Sequence, residues 1–123
     1  MGQATIGYAW PDALAKAQAA AQIIQQQMTE IGLKTQETVV EYLGYNSIHG
    51  PLADPTHIED LNEVYLRIAI RCTEKSDAAR LGRLLSPLGL SGPPFIGGAG
   101  GMIEPRGLLG IWPTLAPRTT VEE

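Results

Sequence analysis

The side chains with the clearest chemical potential are Asn46, Ser47 and His49, which end the segment EYLGYNSIHG. Ser47 and His49 are two positions apart, so both would point to the same side of an extended segment. A hydroxyl beside an imidazole can act as a nucleophile with its general base, but it also needs an orienting carboxylate and an oxyanion site. Asn and Ser side chains in turns more often bind nearby backbone groups. Two hypotheses therefore stay open: a catalytic pair of His49 and Ser47, or a structural turn.

The two histidines also raise the question of a metal site. His49, Asp54 and His57 follow one another with the spacing His-x4-Asp-x2-His. This spacing matches no standard zinc motif, and two histidines provide few of the ligands that such a site needs. We therefore expect no metal ion. The single cysteine, Cys72, ends a strand-like run on its apolar side and is expected to be a buried, unreactive thiol.

A glycine-rich run in the segment GPPFIGGAGGMIE could in principle hold a phosphate. A dinucleotide-binding loop needs its glycines directly after a strand and at the N-terminus of a helix. Here the glycines follow a predicted helix and precede a predicted strand, and no Gly-x4-Gly-Lys-Ser/Thr motif is present. We interpret the run as a connector that lines a ligand or partner surface and not as a nucleotide site. The residues concerned are Gly97, Gly98, Gly100 and Gly101.

Arginine and aromatic residues at two further places could form contact surfaces. Arg67 and Arg71 share one face of a predicted strand with Tyr65 and Ala69. If that face is open, it could dock another chain or bind a carboxylate or phosphate through bidentate contacts. Trp112 and Arg118 have the residue types that anchor interfaces, although Trp112 could equally be a core residue. Arg71, Trp112 and Arg118 are therefore candidate ligand or interface residues.

Composition limits the classes of partner. The 123 residues carry a formal net charge of −4, which argues against nucleic acid because phosphate binding needs a surplus of Lys and Arg. The sequence contains no apolar run of membrane-spanning length and no basic segment followed by an apolar stretch at its start. One cysteine fits a reducing compartment. We expect a single domain over residues 1–123, cytoplasmic, with neither a membrane nor a nucleic-acid partner.

Apolar periodicity indicates the elements that must position these residues. A strand is predicted at residues 4–9. Apolar residues then recur at steps of three and four, which predicts a long helix ended by Gly32. Strict alternation over residues 63–72 predicts a strand with one buried face. The predicted buried residues are Leu14, Ala17, Ala21, Ile24, Met28 and Ile31 in the helix and Val64, Leu66, Ile68 and Ile70 in the strand.

The remaining segments complete an order of six elements. Residues 38–45 are rich in β-branched and aromatic side chains and predict a strand. Ser76 is expected to be the N-cap of a second helix, whose last turn Pro87 makes irregular. A last strand is predicted over the apolar run at residues 108–115. The order strand, helix, strand, strand, helix, strand predicts an α+β ferredoxin-like split βαβ fold: a four-stranded antiparallel sheet with two helices on one face.

Four segments in a fixed order give the chain a resemblance to a known family. They are IGYAWPDALAKAQAAAQII near the start, EYLGYNSIHG at residues 41–50, SPLGLSGPPFIGGAGG at 86–101 and GIWPTLAPRTTV at 110–121. In this order they resemble the C-terminal part of the main domain of the acyclic terpene utilisation (AtuA) family. Each motif alone is weak, and the ordered set is fairly specific.

The resemblance implies a role in the bacterial breakdown of citronellol- and geraniol-type acyclic terpenes as CoA thioesters, and it implies no particular bound cofactor. Since only part of a family member is matched, we expect either a fragment or a small subunit that completes a larger AtuA-like chain. The candidate residues named above would then line the interface with that chain. The alternatives are an autonomous hydratase, lyase or hydrolase that uses His49 as acid or base, and a small module that binds a metabolite.

Overall fold

A computed structural model of the chain describes residues 1–100 and 104–120. Within these ranges the sheet and helices follow the predicted order, with one additional short helix after the second long one. The strands and helices are β1 (Gly2–Ala9), α1 (Ala13–Glu30), β2 (Glu37–Leu43), β3 (Glu63–Arg71), α2 (Lys75–Leu85), α3 (Leu88–Ser91) and β4 (Ile96–Gly100).

The four strands form one sheet in the order β2-β3-β1-β4, and every neighbouring pair is antiparallel. β1 and β3 pair along the whole of β1, from Gly2 opposite Ile70 to Ala9 opposite Glu63. Both α1 and α2 pack against these two central strands. The α+β class and the split βαβ order predicted from the sequence are therefore confirmed.

The core lies between the helices and one face of the sheet. On β3 the alternation is as predicted, since every second side chain is almost fully buried and those between them are not. α1 contributes small residues where it crosses the sheet, which lets its backbone approach the strands closely. Ile31, predicted to be buried with the helix, lies just past its end and is 39% exposed. The buried apolar residues are Ala4, Ile6 and Tyr8 of β1, Val64, Leu66, Ile68 and Ile70 of β3, Ala13, Leu14, Ala17, Ala20, Ala21, Ile24 and Met28 of α1, Ala78, Leu81 and Leu85 of α2, and Leu88 of α3.

The end of α1 is fixed by Gly32, as the sequence predicts. Gly32 has a φ of 63°, a left-handed conformation that glycine adopts without a steric penalty. Its N–H donates to the carbonyl of Thr29 at 3.0 Å, and the N–H of Leu33 donates to the carbonyl of Met28 at 2.9 Å. This pair of hydrogen bonds is the Schellman motif, which satisfies carbonyl groups left free at the helix end.

The start of α2 differs from the prediction. The helix begins at Lys75 with Glu74 as its N-cap, so Ser76 lies inside the first turn and is not the capping residue. The expected irregularity at Pro87 is present. Pro87 has no N–H to continue the helix, and the chain forms the separate short helix α3 directly after it.

The fourth strand is where sequence reasoning was wrong. β4 is the glycine-rich run itself, and it pairs with β1 so that Gly98 lies opposite Gly7 and Ala99 opposite Ile6. Residues 108–115, predicted as that strand, form no strand. Their run contains Gly110 and Pro113, and proline cannot donate to a strand ladder. In β4 the partly buried Ile96 packs against the core cluster, so pairing and one apolar anchor outweigh the low strand propensity of glycine.

We predict that packing of α2 on the sheet contributes a large share of the stability. Leu81 is 1% exposed and lies in the core, whereas Leu90 in α3 is 96% exposed. Leu81→Ala should lower the free energy of unfolding by about 2–5 kcal/mol, because it leaves a cavity. Leu90→Ala, the matched control, should change it by about 0.5 kcal/mol or less. Urea denaturation of both variants checks this, and equal losses would contradict the assignment of the core.

The hydroxyl of Tyr8 is buried without a hydrogen-bond partner among the described residues. Burial raises the pKa of the Tyr8 phenol above its ordinary value of 10.0, because desolvation disfavours the phenolate. The unfolded chain therefore loses this proton first. Tyr8 thus lowers the stability of the folded chain as the pH rises above about 10.

Tyr8→Phe should consequently stabilise the protein. Removal of an unpaired buried hydroxyl is expected to raise the free energy of unfolding by about 1 kcal/mol at neutral pH. The variant should also lose less stability than the native chain between pH 9 and about pH 11. Urea titrations at several pH values measure both effects, with Tyr45→Phe as the control. A destabilised Tyr8→Phe variant would show that the hydroxyl has a partner.

Candidate functional site

The segment that holds Asn46, Ser47 and His49 is a turn. Residues 44–49 are not extended, so the extended segment on which Ser47 and His49 would share one side is absent. Asn46 holds this turn to the end of β2. The N–H of Tyr42 donates to Oδ1 of Asn46 at 3.0 Å, and the N–H of Asn46 donates to the carbonyl of Tyr42 at 2.9 Å. Asn46 therefore has a structural role in the turn.

His49 is exposed and immediately precedes a short 3-10 helix at Gly50–Leu52. Its carbonyl accepts a hydrogen bond from the N–H of Leu52 at 3.0 Å. Ser47 is partly buried in the turn. The catalytic roles of His49 and Ser47 stay predictions, and the turn gives them no extended strand to share.

The other titratable residues of this connection interact locally. Nδ1 of His57 lies 3.2 Å from Oδ2 of Asp60, and both side chains are largely exposed. Oδ1 of Asp54 accepts the N–H of Thr56 at 2.8 Å, and hydrogen bonding by Thr56 lowers the pKa of the Asp54 carboxyl. Within residues 1–100 and 104–120, no group of three or more His, Cys, Asp or Glu side chains is arranged to hold a metal ion.

Three of the glycines singled out in the sequence, Gly97, Gly98 and Gly100, lie in an edge strand and not in a loop. Gly98 and Gly100 stand opposite Gly7 and Thr5 of β1, and Gly98 has a φ of 107°. Gly97 lies where the register between β1 and β4 shifts. Gly101 lies outside the described residues. The run therefore contributes backbone to the sheet, a geometry unlike that of a phosphate-binding loop, which opens a helix.

The face of the sheet that carries Arg67 and Arg71 is open, as predicted, but the arginines are paired. Arg67 forms a hydrogen-bonded ion pair with Glu41 of β2, and Nη2 of Arg71 lies 3.7 Å from Oε2 of Glu37. Both arginines are therefore part of a cross-strand charge pattern on this face. On the same face, the Tyr65 ring of β3 lies over Gly7 of β1, where an added Cβ would be 2.7 Å from the ring.

The C-terminal apolar segment, residues 108–115, is the most exposed apolar part of the described chain. Leu109, Ile111, Trp112 and Leu115 are 98%, 95%, 91% and 100% exposed. The segment follows Arg106, whose N–H and carbonyl are both hydrogen-bonded to Met1, at 2.9 and 2.8 Å. Trp112 is therefore not a core residue of this chain. Arg118 begins a 3-10 turn at Arg118–Thr120, beyond the segment.

Two exposed aromatic residues were not recognised from the sequence. Trp10 and Phe95 are both mostly exposed and lie at the same end of the sheet, where the N–H of Ala9 donates to the carbonyl of Phe95 at 3.0 Å. Nζ of Lys16 lies 5.0 Å from the centre of the Phe95 ring, within cation–π distance. Phe95 also has a φ of 60°, which is uncommon for an aromatic residue. No sequence pattern indicated that Lys16 and Phe95 would be brought together.

The sheet, its two long helices and the exposed C-terminal segment define a split βαβ protein of the α+β class. The chain belongs to the acyclic terpene utilisation family: the model of the family described as "Acyclic terpene utilisation family protein AtuA" matches residues 1–123. The resemblance drawn from the four ordered motifs is thereby confirmed. Comparisons with curated proteins and with solved structures gave no match. Over the described residues, no helix combines the length and apolar character needed to cross a membrane.

We predict that Asn46 acts through the turn. Asn46→Ala removes the acceptor of the Tyr42 N–H and should lower the free energy of unfolding by about 1 kcal/mol. Asn46→Asp keeps an oxygen acceptor and should retain most of the stability. Urea denaturation is the measurement, and Ser47→Ala is the neighbouring control, with an expected change of about 0.5 kcal/mol or less. An unchanged stability of Asn46→Ala would argue against this structural role.

Proposed function

We propose that this chain is a non-catalytic assembly unit that completes a larger chain of the same family. The complex would act in the breakdown of acyclic terpenoid compounds, handled as CoA thioesters or as organic acids. The observation that carries the proposal is the C-terminal apolar segment, in which four large apolar side chains are more than nine-tenths exposed. Exposed apolar clusters of this kind mark interaction sites in soluble proteins.

The energetics support a segment that anchors a complex together with other contacts. Burial of a Leu or Ile side chain contributes about 1.5–3 kcal/mol, so the four side chains supply at least about 6–12 kcal/mol. Association costs about 4–15 kcal/mol in lost motion and ordering. The segment can thus contribute most of the attraction, but a stable complex also needs a surrounding contact area. Trp112 is the residue type most often found at the energetic centre of such interfaces.

The turn after β2 supports the proposal that the catalytic groups belong to the larger chain and not to this one. Ser47 and His49 do not share an extended strand, and Asn46 is engaged by the backbone of Tyr42. The two nearby carboxylates have other partners, since Asp54 accepts the N–H of Thr56 and Asp60 lies against His57. A serine nucleophile activated by a histidine also needs a carboxylate that orients the imidazole. We therefore assign the reacting groups to the larger chain.

The interface predicts a specific loss on mutation. The tagged chain should recover a larger AtuA-type chain in fixed stoichiometry from native cell extract, measured by mass spectrometry and by the size of the complex. The double variant Ile111→Ser, Trp112→Ser should weaken that binding by about a hundredfold or more, since it removes two apolar anchors. Titration of the purified larger chain with each variant gives the dissociation constants.

Leu90→Ser is the matched control, because Leu90 is as exposed as Ile111 but lies in α3. It should bind the larger chain like the native protein. Turnover is then measured with CoA thioesters of acyclic terpenoid acids, which the complex should consume and this chain alone should not. Recovery of this chain alone, binding unaffected by the double variant, or turnover by this chain by itself would each contradict the proposal.

A further inference from the structure

The side of the sheet away from the helices carries a regular pattern over β2 and β3. We call the eight outward residues of these two strands the open face. Their cross-strand pairs alternate between a charged row and an apolar row. The rows are Glu37 with Arg71, Val39 with Ala69, Glu41 with Arg67, and Leu43 with Tyr65.

All charges of one sign on the open face belong to the same strand. The two carboxylates, Glu37 and Glu41, lie on β2, and the two guanidinium groups, Arg67 and Arg71, lie on β3. Each acid forms an ion pair with the base of its own row. The face is therefore an acidic column beside a basic column, with apolar side chains between the charged rows.

This arrangement is complementary to itself. A two-fold axis parallel to the strands, midway between β2 and β3 and between two facing sheets, places β2 of each copy over β3 of the other. Because such an axis is parallel to the strands, each row meets the same row of the second copy. Glu41 of each copy then faces Arg67 of the other, and Glu37 faces Arg71, which is the self-complementarity that an isologous interface requires.

The apolar rows fit the same arrangement. Val39 and Tyr65 are 40% and 39% exposed, so they retain surface that a second sheet can cover. The residues that line a depression of about 310 Å³ include Val39, Ala69 and Leu108. In the two-fold arrangement the larger Val39 of one copy lies over the small Ala69 of the other. Packed sheets are about 10 Å apart with strands within about 30° of each other, so the two middle rows stay in contact.

We propose that the open face is the docking surface for a second copy of this chain, which forms a face-to-face homodimer through β2 and β3. A copy is favoured over an unrelated partner because it supplies both charged columns in the required order. Its apolar rows provide the attraction, and its charged rows determine the register, since like charges placed opposite each other cost several kcal/mol. This inference rests on the charge pattern of β2 and β3, whereas the proposed contact with a larger chain rests on the exposure of the C-terminal apolar segment.

Charge reversal tests the pairing directly in the full chain. The native protein should sediment at twice 13.2 kDa. In the row of Glu41 and Arg67, Glu41→Arg leaves only basic side chains and Arg67→Glu leaves only acidic ones. Each variant alone should therefore dimerise about tenfold more weakly or worse. An equal mixture of the two variants should form a one-to-one heterodimer, because a basic row then faces an acidic row. Sedimentation velocity and native mass spectrometry provide the masses.

Two further variants show whether a loss of dimer comes from the pairing on the open face and not from misfolding or from the change in net charge. The double variant Glu41→Arg, Arg67→Glu keeps an ion pair within each chain and between chains, so it should dimerise like the native protein. Glu59→Arg makes the same charge change at an exposed residue of the connection between β2 and β3, and it should leave dimerisation unchanged. Thermal unfolding of every variant verifies that each one is folded.

Three results would overturn the proposal. The native chain could remain a monomer at all concentrations up to about 0.5 mM, at which even a dimer with a dissociation constant of about 1 μM would be almost fully formed. The dimer could persist in both single reversals, or the mixture could fail to form the heterodimer. The serine variant of Ile111 and Trp112 should still dimerise. Loss of the dimer in that variant, with no effect of charge reversal, would assign dimerisation to the C-terminal apolar segment.

Discussion

The antiparallel ladder between β1 and β3 is the constraint on which the rest of the structure depends. The two strands pair from Gly2 opposite Ile70 to Ala9 opposite Glu63, and their inward side chains form the floor of the core. β4 pairs with the edge of β1 that β3 leaves free, and β2 pairs with the edge of β3 that β1 leaves free. α1 and α2 also depend on this ladder, because they pack on its buried face. A one-residue slip would turn every inward side chain outward, so the apolar alternation determines the register.

Elements with strong periodicity could be predicted from the sequence, because their pattern reflects a single buried face. α1 and β3 are of this kind, and Gly32 ends α1 through a local backbone conformation that glycine favours. β4 could not be predicted in this way. Its strand character depends on pairing with β1, a contact that is distant in sequence and not encoded in the propensities of Gly97 and Gly98. The apolar residues 108–115 have the composition of a buried strand, but no edge of the sheet pairs with them.

The candidate site divides in the same way. Asn46 is hydrogen-bonded to the backbone of Tyr42 in the turn after β2, which favours the structural interpretation of this segment, and its role at a ligand or interface stays a prediction. The sequence placed Arg67 and Arg71 together on one face of β3, and the structure leaves that face open. What the sequence could not indicate is which carboxylates meet them, because the pairing of β2 with β3 sets the rows. The exposure of Trp112 could not be predicted from the sequence either, because it depends on which surfaces the rest of the chain covers.

The two proposed surfaces meet at Leu108. This residue lines the depression together with Val39 and Ala69, and it is also the first residue of the C-terminal apolar segment. A second copy on the open face would cover Leu108, while the hydrogen bonds between Met1 and Arg106 hold the chain just before it. Leu108 would then be fixed, and residues 109–115 would lose less conformational freedom when they bind the larger chain. Since ordering of an interface opposes association, dimerisation would strengthen the binding of the larger chain without any new contact to it.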